Sequence, residues 1–411
     1  MRFQLLDIDV SKPLEAELDA SANGLGILVR FADRPVDFVL HRFANRPIRT
    51  TNELADLLTQ RSGATIVLAA LQHTQAGSTE RSSAPSLRTA TVAICTKDRS
   101  SLLDRTLESL TQHVRVPAVS AAADVDILVV DNRSSDERTR LVVEKYPAVR
   151  YVYEGLAGLD FARNTALREA SGDLLIYLDD DAVVDHNWLP GLLESWQRHP
   201  DAAGFTGQVL PLELETEAQV LFELNGGFRR GFEEKRFEPS MQSDPLFPGG
   251  AGVFGTGTNM AFRRDALMAL GGFDEALDTG APLPGGGDHD IFYRVIRSGG
   301  VIVYVPAYLV FHEHRRDLAA LKRQYYSWGT GVMAFLSKSI ETDREVRRNL
   351  RAVRRWWFKD RLRQVRRAVR NHHPLPLHML LAEIRGGIVG LFGEYRRSRK
   401  RIAKIREAVD G

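Results

Sequence analysis

The 411-residue chain is 44% hydrophobic, carries 55 Lys and Arg against 53 Asp and Glu, and has one cysteine. That composition supports a sizeable core in one large domain with attachments, or in two to three domains, and excludes an internal disulfide. No run approaches ~20 uninterrupted apolar residues, which excludes a transmembrane helix, and "MRFQLLDIDV" lacks the basic head and apolar middle of a signal peptide.

The near-neutral total hides an asymmetry. Residues 341–411 hold 20 Lys and Arg against 8 Asp and Glu, and the other 340 residues hold 35 against 45. An acidic body with a basic tail implies a site that handles cations and a surface that meets something anionic.

In chain order, residues 1–72 alternate short apolar runs ("GILVRF", "VDFVLHRF") and then read as a helix at "TNELADLLTQ", a small α+β unit without recognisable chemistry. Residues 73–88, polar and rich in small side chains, read as a linker. From residue 89 the pattern changes. "TVAIC" is a buried strand by its length and β-branching, and Cys95 within it reads as a small core residue of a cytoplasmic protein. "SSLLDRTLESLTQHV" is an amphipathic helix with a serine start. "VDILVVD", "VRYVYE" and "DLLIYLDD" are further strands, separated by the helices "SSDERTRLVVEKY" and "LDFARNTALREA". Strand and helix alternate at βαβ spacing, which predicts an α/β fold with a mostly parallel sheet.

In such sheets ligands gather outside the carboxyl ends of the strands. "CTKDR" (95–99), "DNRSSD" (131–136) and "DDD" (179–181) each close a strand. One polar cluster reads as a helix cap; three at the carboxyl ends of the first, second and fourth strands point to one crevice. In an extended segment Asp179 and Asp181 face the same way and Asp180 the other. Two carboxylates so close need a cation between them, or one must hold its proton. Oxygen ligands suit Mg²⁺ or Mn²⁺, and such an ion can take up the charge of a leaving diphosphate.

Residues 204–257 read as irregular, many of them glycine and proline, without a recognisable pattern. "TGTNMAFRRDALMALGGFDEAL" reads as strand, helix and glycine turn, and "PLPGGGDHDIFYRVIRSGG" as a glycine-rich loop entering a helix. "VIVYVP" is a strand leading to "YLVFHEHRRD". Residues 319–411 are helical and basic. In "DREVRRNLRAVRRWWFKDRLRQVRRAVR" (343–370), Trp356, Trp357 and Phe358 interrupt twelve Lys and Arg. That pattern suits an anionic membrane surface and equally a helical cap with a solvated basic face. The aromatics cluster at one place instead of at base-stacking intervals, which argues against nucleic acid.

The ordered set "CTKDR", "VVDNRSSD", "LDFARN", "LDDDA", "GTNMAFRR", "GGFDE", "GGDHD" and "FHEH" resembles the family-2 glycosyltransferases of bacteria over roughly residues 89–315. The resemblance implies the GT-A fold over residues 89–318, a Rossmann-like nucleotide-binding sheet with an acceptor subdomain. It implies an inverting transfer of a sugar from a nucleotide-diphosphate donor to an acceptor hydroxyl, with Mn²⁺ or Mg²⁺, in surface polysaccharide or glycan assembly. The acceptor would be a lipid-linked glycan or another hydroxyl, and the enzyme cytoplasmic or peripheral on the inner face of the membrane. Thr96, Asp98 and Arg99 would line the nucleotide site, Asp131 would hold the base and Arg163 would sit near the nucleotide. Asp179 would approach ribose and metal, Asp181 would bind the metal, and His312, with His314 as the competing choice, would sit near the metal or diphosphate. Asp288 matches the family's general base, with Asp290 as the alternative base or a helix cap. The family's usual "GED" has an acid where this chain has Gly287. Two rivals stand beside this reading. A sugar nucleotidyltransferase would carry a glycine-rich loop after the first strand, which "CTKDRSSLL" lacks, and a non-catalytic nucleotide-sugar-binding scaffold would not need Asp181, Asp288 and His312.

Overall fold

The computed structural model describes residues 1–44, 46–76, 89–114, 124–241, 246–278, 280, 283–370 and 372–410. The chain opens with strands β1 (Phe3–Asp9), β2 (Gly24–Phe31) and β3 (Arg34–Arg42) and helix α1 (Thr51–Ala76). β1 runs parallel and β3 antiparallel to β2, and Leu54, Leu57 and Leu58 of α1 pack on Ile27 and Val29. The helix is longer than its apolar start predicts. "TIVLAALQHTQA" contains neither glycine nor proline, so nothing stops the helix before Ala76, and residues 73–76 of the expected linker are helical. Residues 77–88 lie outside the described residues.

The large sheet begins with β4 (Thr89–Thr96), α2 (Ser100–Val114), β5 (Asp124–Asp131), α3 (Arg138–Val143), β6 (Val149–Tyr153), α4 (Leu159–Glu169) and β7 (Leu174–Asp179). Leu103, Thr106, Leu107, Leu110 and Val114 recur at helical spacing along the buried side of α2. α3 is shorter than "SSDERTRLVVEKY" predicts. Ser134 and Ser135 are held outside the helix, their N–H groups donating to Asp131 and Asp98, an arrangement that competes with helix formation.

There follow β8 (Ala182–Val184), α5 (Trp188–Arg198), β9 (Ala202–Pro211), α6 (Glu217–Leu224), β10 (Lys235–Phe237), β11 (Asn259–Arg263), α7 (Arg264–Ala269), α8 (Gly287–Arg297) and β12 (Val301–His312). Residues 204–257 are therefore not irregular throughout. They hold most of β9 and all of α6, which starts on a reciprocal Thr216–Gln219 capping box. The sheet order is β10-β12-β9-β11-β7-β4-β5-β6, with β8 pairing to β12. β6, β5, β4 and β7 are parallel. β11 is antiparallel to both β7 and β9, so the parallel order holds for half of the sheet and the rest is mixed. One face is covered by α2, α3 and α5, the other by α4, α8 and later helices.

Those later helices are α9 (Leu318–Thr342), α10 (Arg347–Val369), α11 (Leu377–Val389) and α12 (Tyr395–Asp410). Leu350, Val353 and Trp357 of α10 join the core beneath the sheet. α9 and α11 pack backbone to backbone: a Cβ at Gly329 would lie 2.0 Å from the Glu383 carbonyl oxygen. Among the described residues no helix is long and apolar enough to cross a membrane.

Candidate active site

β4, β5 and β7 end side by side, in register from Thr96 to Asp131 and from Cys95 to Asp179. The chain leaving β7 turns through Asp180 and Asp181 into β8, which lies antiparallel to the end of β12 and sets Ala182 opposite His312. That pairing brings Asp179, Asp181 and His312 together, each offering a ligand atom within 4.8 Å of the others.

Asp181 divides its oxygens. Oδ2 accepts from Arg99 Nη2 at 2.5 Å. Oδ1 is buried without a hydrogen-bond partner, 3.2 Å from His312 Nε2. Burial works against the Asp181 charge, but His312 and Arg99 outweigh it and hold the carboxyl well below its usual range. A buried carboxylate oxygen without a hydrogen, between a second carboxylate and an imidazole, fits a divalent cation. Asp180 does turn away, into the protein: it accepts from the Thr96 hydroxyl at 2.6 Å and from Arg99 Nη1 at 2.5 Å. Burial pushes its pKa up while Arg99 opposes the shift. Thr96 and Arg99 thus spend their polar groups on shaping the acidic turn.

Asp98 and Asp131 belong to the neighbouring turn. Asp98, in the left-handed region at φ 56°, accepts from the N–H and hydroxyl of Ser135. Asp131 is buried, taking the Ser134 N–H on one oxygen and the Tyr151 hydroxyl on the other. Both hold the loop that borders the crevice.

The second acidic group surrounds Arg163. Its Nη1 lies 3.0 Å from Asp160 Oδ1 and 3.2 Å from Asp278 Oδ2, and Asp179 and Asp288 also raise its pKa, against the effect of burial. Asp288 begins α8, keeps a quarter of its side chain exposed, and pairs through Oδ1 with His289 Nδ1 at 2.9 Å. Its Oδ2 takes the Gly257 N–H at 3.2 Å, while the next residue, Thr258, accepts from Asp179 N–H through its carbonyl. The 257–258 turn therefore joins the metal-type cluster to Asp288. Burial opposes the Asp288 charge, but His289 and Arg163 hold it well below the usual carboxylate range. Asp290 has no access to the crevice: it is fully buried between Arg294 Nε at 2.7 Å and Lys338 Nζ at 2.6 Å. It anchors α8 to α9.

Gly287 explains itself at this point. A Cβ there would lie 2.2 Å from Asp160 Oδ2 and 2.5 Å from Asp278 Oδ2. The space that an acidic side chain at 287 would enter is already filled by two carboxylates from other elements. Neither was expected from the sequence. Asp160 stands in the first turn of α4, inside the motif "LDFARN" in which only Arg163 is assigned a role, and Asp278 lies in the loop before the glycines, without a motif of its own. Glu223, which accepts from His314 Nε2 at 2.9 Å, was also missed, although the "TEAQ" capping signature marks its helix.

Residues 91–271 match the family model described as glycosyl transferase family 2. The succinoglycan biosynthesis protein ExoM of Rhizobium meliloti (strain 1021) is 29% identical over 245 residues, 58% of this chain and 72% of that one. A putative polypeptide N-acetylgalactosaminyltransferase 10 of Drosophila melanogaster is 26% identical over 234 residues, 54% of this chain; the match spans only 35% of that protein. Among solved structures, a mannosyltransferase from Pyrobaculum calidifontis in complex with GDP-Man and Mn²⁺ superposes with a TM-score of 0.44 at 18% identity, covering 87% of this chain and 97% of that one. Over residues 91–271, which carry Asp98, Asp131, Arg163, Asp179 and Asp181, the chain is similar to glycosyl transferase family 2.

Proposed function

We propose that the protein transfers a sugar from a nucleotide-diphosphate donor to an acceptor hydroxyl, with inversion at C1 in a single displacement. The observation that carries this reading is the 257–258 turn, which ties an Asp179–Asp181–His312 cluster to an accessible, ionised Asp288. Asp179, Asp181 and His312 would hold Mn²⁺ or Mg²⁺, which when bound neutralises charge on a departing diphosphate. Thr96, Asp98, Arg99, Asp131, Arg163 and Asp179 form the nucleotide side, Thr96 and Arg99 acting through Asp180 and the turn they fix. On the acceptor side the hydroxyl oxygen bonds to C1 as the bond from C1 to the phosphate oxygen breaks. The electron pair leaves with the diphosphate and the hydroxyl proton passes to Asp288. The likeness to ExoM supports an acceptor in polysaccharide or glycan assembly.

The domain reading that accompanies this proposal is an α+β unit over residues 1–72, a transferase domain over 89–318 and a helical region over 319–411. α10 has two faces. Its inner face caps the core through Leu350, Val353 and Trp357, and its outer face exposes Trp356, Leu362 and Val369 among Arg355, Lys359, Arg363, Arg366 and Arg370. That outer face suits an anionic lipid surface.

The first test is thermal shift with UDP, GDP and dTDP, each with Mn²⁺, with Mg²⁺ and with EDTA. A ligand that binds only the folded state raises the melting temperature. One nucleotide should shift it, and the shift should vanish in EDTA and in Asp181→Ala. No shift with any nucleotide overturns the donor-site reading. Salt-sensitive sedimentation with anionic but not neutral liposomes checks the outer face of α10.

A further inference from the structure

Behind His312 runs a chain of buried polar groups that the transfer reaction does not use. His312 Nδ1 lies 3.0 Å from His314 Nδ1, and His314 Nε2 lies 2.9 Å from Glu223 Oε1. His314 and Glu223 are both almost entirely buried. Aromatic rings fix the two imidazoles edge to face: Phe222 is 4.7 Å from His314, and Phe228 is 5.4 Å from His312, centroid to centroid. Glu223 is fixed in turn. Its other oxygen pairs with Arg229 Nε at 3.0 Å, and that guanidinium rests over the Phe38 ring of β3. A Cβ at Gly227, where φ is 55°, would sit 2.1 Å from Glu223 Oε1, so the turn after α6 is glycine for the sake of this carboxylate.

We propose that His314 and Glu223 are positioning residues that hold His312 in the tautomer able to ligate the divalent cation; this rests on the metal reading above. The argument is a count of protons. The chain has three links: Asp181 to His312, His312 to His314, and His314 to Glu223. With the cation bound, His312 ligates as a neutral imidazole, and two neutral imidazoles carry one ring proton each. A carboxylate paired with an arginine accepts, so Glu223, beside Arg229 Nε, draws the His314 proton to Nε2 and leaves His314 Nδ1 as an acceptor. His312 must then place its proton on Nδ1, which leaves the Nε2 lone pair facing Asp181 and the cation position. Reversing the last link reverses both rings and points an N–H at the cation. Partners of this kind fix the tautomer and orientation of metal-bound histidines elsewhere.

The test uses the full-length protein and Mn²⁺ alone, with free Mn²⁺ counted by electron paramagnetic resonance. Glu223→Gln keeps the size of the side chain but offers an N–H₂ donor beside its acceptor, so it no longer dictates the tautomer. His314→Asn keeps a polar partner for His312 Nδ1 and cuts the link to Glu223. Each should weaken Mn²⁺ binding by ~10–100-fold, with metal-free melting unchanged for at least one of them. Excess Mn²⁺ should restore turnover. Variants that bind Mn²⁺ as tightly as wild type, while Asp181→Ala does not, overturn the relay and leave the metal reading standing. A wild-type protein that fails to bind Mn²⁺ overturns both.

Discussion

Two groups of buried carboxylates lie on either side of the 257–258 turn, and they deal with their repulsion in different ways. In the Asp179–Asp181–His312 group, Asp181 is held ionised, and its Oδ1 is left without a hydrogen. In the Asp160–Asp278–Asp288 group, Arg163 lies among three carboxylates and Asp160 Oδ2 is the atom without a partner. There burial, with the Asp278 charge adding to it and Arg163 opposing, raises the Asp160 pKa well above its ordinary value. Asp278 is raised by burial and by Asp288, with Arg163 opposing. One group is built to be completed by a cation and the other is already completed by an arginine and a histidine. Only the first should respond to metal, and only the second should hold a base.

Substitutions that break one group without the other test this division. Asp181→Ala should abolish metal-dependent transfer and Mn²⁺ binding while the metal-free protein still folds; full turnover would remove the metal group from the mechanism. Asp288→Asn should lower kcat by ~10²–10⁴-fold, the usual contribution of a general base, with Mn²⁺ affinity unchanged. If Asp288→Asn loses metal affinity as well, the two groups are one.

Gly287→Ala sharpens the comparison from the side of stability. Its Cβ would enter the space held by Asp160 and Asp278, and overpacking of this kind costs ~1–3 kcal/mol. Thermal melting should show the loss. Melting at the wild-type temperature would mean that the two carboxylates move aside freely, and that Arg163 does not fix them.

Much of the first group was legible in the sequence and less of the second. "LIYLDDDA" places Asp179 and Asp181 on one side by strand alternation alone, and "FHEH" supplies the histidine, because the residues that meet lie at the ends of two strands with plain β patterns. The sequence does not show that β8 folds back on β12, since three residues carry too little periodicity. In the second group Asp288 was legible from "GGGDHD", but its neighbours were not. Asp160 hides in a helix that reads as packing, and Asp278 in a loop without a pattern. Their meeting at Gly287 is a tertiary event. The same holds for Glu223: its helix announces itself by a capping box, while the reason for its carboxylate is His314, ninety-one residues away. Residues 204–257 read as irregular because Gly204 and Gly207 interrupt β9 and Gly226 and Gly227 follow α6 closely.

The smallest expected effect concerns pH. Asp288 is ionised in the free protein and its pKa lies below the ordinary value of ~3.9. A base works in its ionised form, so activity is full above that depressed pKa and is lost only as the pH falls through it. The acid limb of kcat/KM therefore sits below the ordinary aspartate range. His289, 2.9 Å away and raised by Asp288 against the effect of burial, helps to keep it there. His289→Asn removes that cation, so the Asp288 pKa should rise and the limb should move to higher pH, while the plateau rate changes little. A plateau that collapses instead would mean that His289 itself carries the acceptor proton, with Asp288 as its partner. A limb that stays in place would leave Arg163 as the group that sets the base, and would tie the reacting carboxylate to Asp160 and Asp278 more closely than to its own helix.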